Sequence, residues 1–286
     1  MNALVTYSRM IKLSHTLFAL PFALASGVIA LRHAEVHWTA WLWVVVCMVG
    51  ARSSAMGFNR IVDRDIDADN PRTASREIPA GLISLPAAWG FTLGSAALFV
   101  FGAAMLGTAT LLLSPIALMV VWGYSLCKRF TAMAHLVLGL ALALAPTAVW
   151  IAFTQSYGWV PLLLSVGVAT WVAGFDIIYS CQDADFDRER GLHSIPSRLG
   201  VRNALIVSAL LHVVTVACLA ALPFLEPLGP SYWLGVVLIA GVLVYEHAIV
   251  RPDDLSRVDK AFFDLNGYVS LVFFVAVALS GLTLGG

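Results

Sequence analysis

The chain has 286 residues, 60% of them apolar and only 12% charged, and its 17 basic residues balance 17 acidic ones. A soluble domain carries about 25% charged and 45–50% apolar residues, so this chain cannot cover its own surface with polar groups. That excludes an ordinary soluble enzyme, a nucleic-acid binder with a basic face, and a disordered or fibrous chain. The four cysteines (Cys47, Cys127, Cys181, Cys218) are scattered, with no CxxC pair and no metal-ligand spacing. They read as reduced thiols rather than a disulfide framework.

In chain order, uncharged stretches separated by Gly, Pro and polar clusters predict nine membrane spans. These lie near 16–33, 38–57, 88–107, 109–127, 134–154, 159–181, 203–223, 231–250 and 262–284. Each is close to the roughly 20 residues a span needs. Residues 4–14, with Arg9 and Lys12 among apolar neighbours, predict a short interfacial helix feeding the first span. The first apolar run lacks an A-x-A-like cleavage site and is expected to continue into the bundle. Trp38, Trp41, Trp159 and Trp233 sit near span ends, as aromatic belts do.

With nine spans, 15 of the 17 basic residues fall on the side of the N-terminus; only Arg32 lies opposite, and Arg52 lies within the second span. The positive-inside rule then puts the N-terminus in the cytoplasm and the C-terminus outside. Twelve of the 17 acids share that cytoplasmic side, in connecting segments. Two clusters stand out, Asp63-Arg-Asp65-Ile-Asp67 after the second span and Asp183-Ala-Asp185-Phe-Asp187 after the sixth, 120 residues apart. The matched pair predicts one domain over 1–286 with two pseudo-repeated halves, one acidic segment in each.

On a helix, residues i and i+4 share a face. Asn59, Asp63 and Asp67 then form one stripe and Asp183 and Asp187 another, while Asp65 and Asp185 point elsewhere. Stacked carboxylates repel unless something neutralises them. Oxygen-rich stripes at a membrane surface suit Mg²⁺, which takes one or two carboxylates and completes its shell with water and phosphates. Nearby arginines and Lys128-Arg129 complement phosphate oxygens. A diphosphate bound through Mg²⁺ is the predicted ligand. A solvated acidic loop explains one such cluster, but two with matching spacing argue for a function.

These residues resemble the UbiA superfamily of intramembrane prenyltransferases. The likeness rests on Asn59-x-x-x-Asp63-x-x-x-Asp67 with Arg76-x-Ile-Pro79-x-Gly81, on Asp183-x-x-x-Asp187 with Gly191 and Ser194, and on Tyr124-x-x-x-Lys128-Arg129. Trp171, Asp176 and Tyr179 are similar to the approach to the second motif in the branch acting on 4-hydroxybenzoate. The resemblance implies an all-α, nine-helix membrane bundle that moves a polyprenyl group from its diphosphate to an aromatic acceptor in quinone biosynthesis. It implies Mg²⁺ at Asn59, Asp63, Asp67, Asp183 and Asp187, and diphosphate contacts from Arg76, Lys128, Arg129 and Tyr124. It also implies a bacterial inner-membrane location with the site on the cytoplasmic side, and no obligate protein partner. Relatives carry Asn-Asp and Arg-Pro where this chain has Asn59-Arg60 and Arg76-Glu77, and the entry to the first span reads Lys12-Leu-Ser-His15. The departures leave the metal ligands in place and bear on the acceptor. A variant branch prenylates a dihydroxynaphthoate in the futalosine route to menaquinone; a non-quinone acceptor is a further alternative.

Asp176 sits in an otherwise uncharged span, two helical turns before Asp183. An ionisable residue inside a span is a functional candidate, and Asp176 is expected to orient the acceptor hydroxyl or take its proton, with Tyr179 and Lys128 in the catalytic set. His15 reads equally as an acceptor contact or an interface residue; His135, His212 and His247 read as packed or helix-end histidines. The competing class is an ion-binding transporter. A transporter places polar groups near the bilayer midplane, whereas these acids lie at one end of the spans.

Overall fold

The computed structural model describes residues 6, 7, 10 and 18–284. Among these residues every regular element is helical, and the one β-type pairing is an isolated bridge between Arg251 and Asp254. In chain order the main helices are α1 (Ala19–Ala30), α2 (Trp38–Val62), α3 (Arg64–Asp69), α4 (Leu85–Leu106), α5 (Thr108–Cys127) and α6 (Ala134–Thr154). They continue with α7 (Trp159–Ser180), α8 (Ala184–Glu189), α9 (Ile195–Leu199), α10 (Val201–Ala221), α11 (Pro230–Ile249) and α12 (Asn266–Leu284). A helical turn, Val258–Lys260, and a π-helical turn, Ala261–Leu265, lead into α12.

Eight described helices are long and apolar enough to cross a membrane, which corrects the expected count of nine. The difference is α1, whose 12 residues extend ~18 Å at 1.5 Å per residue, short of a ~30 Å hydrocarbon core. The predicted start of that span, most of the 4–14 helix, and Arg9, Lys12 and His15 lie outside the described residues. The second span is longer than predicted: α2 runs to Val62 and carries Asn59 and Arg60 inside the helix. Large apolar side chains stand exposed along the helices, among them Phe101, Leu112, Met119, Leu210, Val237 and Val244. An apolar surface of that extent is the outside of a membrane protein. The four cysteines are unbridged thiols.

Backbone contacts divide the chain into two units. One centres on His37–Leu126 and contains α2, α3 and α4. Its main packing is α2 against α4. A Cβ on Gly50 would stand 2.8 Å from the Phe99 nitrogen, so only glycine lets these two helices meet there. Trp122 on α5 donates to Ser54 Oγ at 3.0 Å and stacks on Phe58 at 5.1 Å, which fixes α5 against α2. Ser84 caps α4 by accepting from the Ala87 N–H.

The second unit takes α1 and the chain from Cys127 onward. Its centre is α7, packed against α6 and α10, with Val168, Trp171, Val172, Ile177 and Ile178 fully enclosed. Phe18, Phe22, Phe175 and Phe262 surround or extend from the Trp171 ring as an aromatic cluster. Several polar groups buried among these helices pair with one another, as an apolar surrounding favours. Trp171 Nε1 donates to Asn266 Oδ1 at 2.7 Å, and Asn266 Nδ2 donates to Glu246 Oε1 at 3.0 Å. His212 Nδ1 lies 3.0 Å from His247 Nε2. Ser26 on α1 donates to the carbonyl of Pro146 inside α6. Each unit carries one of the two acidic segments.

Candidate active site

In the first unit, backbone N–H groups of Asp63 and Asp67 donate to the carbonyls of Asn59 and Asp63 at 3.0 and 2.7 Å. The i to i+4 ladder therefore runs across the junction of α2 and α3 and keeps the three side chains on one stripe. Asp63 and Asp67 are 2% and 3% exposed. Asp65, two residues and so about 200° round the helix from each, has a side chain 81% exposed and pairs with Arg64. Asn59 Nδ2 donates to Asp63 Oδ2 at 3.0 Å and to Ser125 Oγ at 3.3 Å, which leaves its amide oxygen as the atom with lone pairs to offer. Asp67 Oδ1 accepts from Arg76 Nη1 at 2.6 Å, while Oδ2 is buried without a hydrogen-bond partner. The loop that carries Arg76 is tied back by Thr73 Oγ1, which donates to the Asp67 carbonyl at 3.0 Å.

Two more cations stand near this stripe. Arg60 is 3% exposed with an unpartnered Nε. Its electrostatic neighbours include Asp67, Glu77 and Tyr124. Arg52 lies seven residues before Asn59, which places it on the Asn59 face two turns deeper in α2. Tyr124 is its electrostatic neighbour too. Sequence reasoning noted Arg52 only as a charge inside a span; its seven-residue offset from Asn59 was the signal available.

In the second unit, Cys181–Asp183 form a 3-10 turn and Ala184–Glu189 the short helix α8. Asp183 and Asp187 are half-buried, whereas the Asp185 side chain is 90% exposed and pairs with Arg188 at 2.8 Å. Asp187 has Ser194, Asp183, Lys128 and His135 as polar or charged neighbours. Gly191 turns the chain after α8 at φ +66°, a left-handed conformation that favours glycine. The chain then reaches Lys128, whose carbonyl accepts from the His193 N–H at 2.8 Å. Arg129 is exposed and Tyr124 half-buried.

Asp176 is not an isolated acid. Its Oδ2 lies 2.7 Å from His135 Nδ1, and the Asp176 side chain keeps 23% exposure. Sequence reasoning set His135 aside as a packed residue, because nothing in the spacing of positions 135 and 176 links them. Tyr179 packs against Phe262 with the rings tilted by 34° and centroids 4.3 Å apart.

Among the described residues no three His, Cys, Asp or Glu side chains form a cluster able to hold a metal alone. The oxygen donors present fit Mg²⁺, which binds through one or two carboxylates and takes substrate phosphates and water for the rest. The partnerless Asp67 Oδ2 and the Asn59 amide oxygen are suitable atoms for it.

Residues 19–279 match the UbiA prenyltransferase family. The 4-hydroxybenzoate octaprenyltransferase of Vibrio cholerae is 31% identical over 244 residues, covering 83% of this chain and 84% of that protein. The enzyme of the same name from Citrobacter koseri is 29% identical over 258 residues, 85% and 88% of the two chains. Among solved structures, a UbiA homologue from Aeropyrum pernix superposes with a TM-score of 0.81 at 31% identity, over 95% of this chain and 98% of that one. A UbiA homologue from Archaeoglobus fulgidus, bound to GPP and Mg²⁺, superposes with a TM-score of 0.77 at 20% identity, over 96% and 99%.

Proposed function

Because the chain belongs to the UbiA prenyltransferase family and is an integral membrane prenyltransferase, we propose that it moves a polyprenyl group from polyprenyl diphosphate to a 4-hydroxybenzoate-type acceptor. The reaction serves quinone biosynthesis at the cytoplasmic face of a bacterial inner membrane. The observation that carries the donor half is Asp67, a buried carboxylate with one oxygen held by Arg76 and the other without a protein partner. The Archaeoglobus homologue's GPP and Mg²⁺ support the same reading.

Asn59, Asp63, Asp67, Asp183 and Asp187 would hold Mg²⁺, which supplies charge neutralisation to the departing diphosphate. Lys128 beside Asp187 binds diphosphate oxygens directly, and Arg76, Arg129 and Tyr124 complete that shell. The apolar helix walls keep water from the reacting allylic carbon. Asp176 takes the proton of the acceptor hydroxyl, with Tyr179 positioning the ring. Arg52 is a cation within a span, where a charge persists only with a function or a partner. It binds the acceptor's carboxylate. The names of the Vibrio and Citrobacter relatives support an aromatic acid. A dihydroxynaphthoate offers the same carboxylate and hydroxyl, and the departures at Arg60 and Glu77 keep that acceptor as the second reading.

Purified protein incubated with polyprenyl diphosphate, Mg²⁺ and a panel of aromatic acids tests this directly by mass spectrometry of the products. Prenylated 4-hydroxybenzoate is expected, abolished by EDTA and restored by Mg²⁺. Transfer that ignores EDTA, or prenylation of non-aromatic acceptors only, overturns the reading; prenylated dihydroxynaphthoate alone selects the second acceptor.

The two cations should separate kinetically. Lys128→Ala should raise the KM for polyprenyl diphosphate roughly 10- to 100-fold, the range for losing a charge-assisted hydrogen bond, with little effect on the acceptor's KM. Arg52→Leu should do the reverse. Equal effects on both substrates would remove these assignments.

A further inference from the structure

His135 opens α6 and is 4% exposed, yet both of its ring nitrogens are engaged. Nδ1 lies 2.7 Å from Asp176 Oδ2, and Nε2 lies 3.3 Å from the backbone nitrogen of Ile195. A backbone N–H only donates, so Nε2 presents its lone pair and the ring proton resides on Nδ1, directed at the Asp176 carboxylate. The tautomer is fixed by the fold.

The ring also joins two functional segments. Ile195 follows Ser194, which lies near Asp187 and caps α9 by accepting from the Ser197 N–H at 3.2 Å. Asp176 projects from the middle of the last two turns of α7. One imidazole thus ties the carboxylate on α7 to the first turn of α9.

We propose that His135 is a positioning residue for prenyl transfer: held as the Nδ1–H tautomer by the Ile195 N–H, it fixes Asp176 so that Oδ1 faces the acceptor hydroxyl. This inference rests on the role assigned to Asp176 above. The histidine touches no substrate and exchanges no proton with it. It acts through Asp176, and groups that orient a working side chain in this way are worth about 10- to 100-fold in activity.

The test compares His135→Leu, His135→Gln and Asp176→Asn, alone and combined. His135→Leu should lower kcat about 10- to 100-fold and leave the KM for polyprenyl diphosphate unchanged. His135→Gln, whose amide donates and accepts at once, should restore most of that loss. In the Asp176→Asn background, His135→Leu should cost nothing further. Wild-type turnover in His135→Leu beside a defective Asp176→Asn overturns the inference and spares the reading of Asp176. Wild-type turnover in Asp176→Asn overturns that reading and the inference with it. A full additional loss in the double variant assigns His135 an independent role and also overturns the inference. If the leucine variant does not fold, ¹⁵N NMR of the wild-type protein decides: Nδ1 of His135 must be the protonated nitrogen, and an Nε2–H tautomer refutes the proposal.

Discussion

Replacing Asp63 or Asp187 by alanine should abolish prenyl transfer, by about 10²- to 10³-fold or more, the scale on which a group stabilising transition-state charge is lost. The two variants reach that result from different surroundings. Asp63 is buried and accepts from Asn59, so its removal also strands a half-buried amide hydrogen of Asn59, at up to about 1–3 kcal/mol. Asp63→Asn keeps the shape and removes the charge; it should be as inactive as the alanine variant but nearer wild type in thermal stability. Asp187 is half-buried beside Ser194 and Lys128, and its alanine variant should lose activity with a smaller change in stability. Asp65→Ala and Asp185→Ala provide the contrast, since both side chains are exposed in surface pairs that contribute about 0–1 kcal/mol. Turnover in detergent or reconstituted membranes, read beside the thermal midpoint, separates these cases. Full activity in Asp63→Asn or Asp187→Ala would remove those carboxylates from the metal site.

What could be read from sequence was what depends on local periodicity. The stripe of Asn59, Asp63 and Asp67 follows from 3.6 residues per turn, and the burial of Asp63 and Asp67 against the exposure of Asp65 has the same origin. The spans from Trp38 onward follow from uninterrupted apolar runs. Among the described residues eight helices are long enough to span, and the difference from nine lies at α1, where hydropathy registers an apolar stretch to residue 33 but the helix ends at Ala30. Pairings between distant segments were not legible at all. The bond from His135 to Asp176 joins residues 41 apart through the packing of α6 on α7. Glu246, near the end of α11, is wholly enclosed and bonded to Asn266. Apolar neighbours on the same helix carry no mark of a polar partner on another. Arg52 belongs between these cases, since its offset from Asn59 is local but its meaning depends on what the Asn59 stripe does.

The pair of Asp67 and Arg76 yields the second large effect, and it separates a structural carboxylate from a working one. Arg76 Nη1 holds Asp67 Oδ1 at 2.6 Å, with the two side chains 21% and 4% exposed. Removing one partner of a buried ion pair costs about 3–5 kcal/mol, a ceiling here because Arg76 reaches solvent. Asp67→Ala should therefore lower the thermal midpoint by several degrees and abolish turnover. Arg76→Ala should destabilise the protein similarly, since both Asp67 oxygens then lack a partner. The double variant Asp67→Ala/Arg76→Ala leaves neither charge uncompensated, so it should recover much of the stability lost in either single variant. The double variant also lacks the Arg76 assigned to the diphosphate, so activity is read on Asp67→Asn, which can still accept from Arg76 but has no charge for a cation. If Asp67 served only to anchor the loop of residues 70–84 through Arg76, Asp67→Asn would fold and turn over like the wild type. Because Oδ2 of Asp67 stands buried and unpartnered beside that ion pair, Asp67→Asn should fold like the wild type and be inactive.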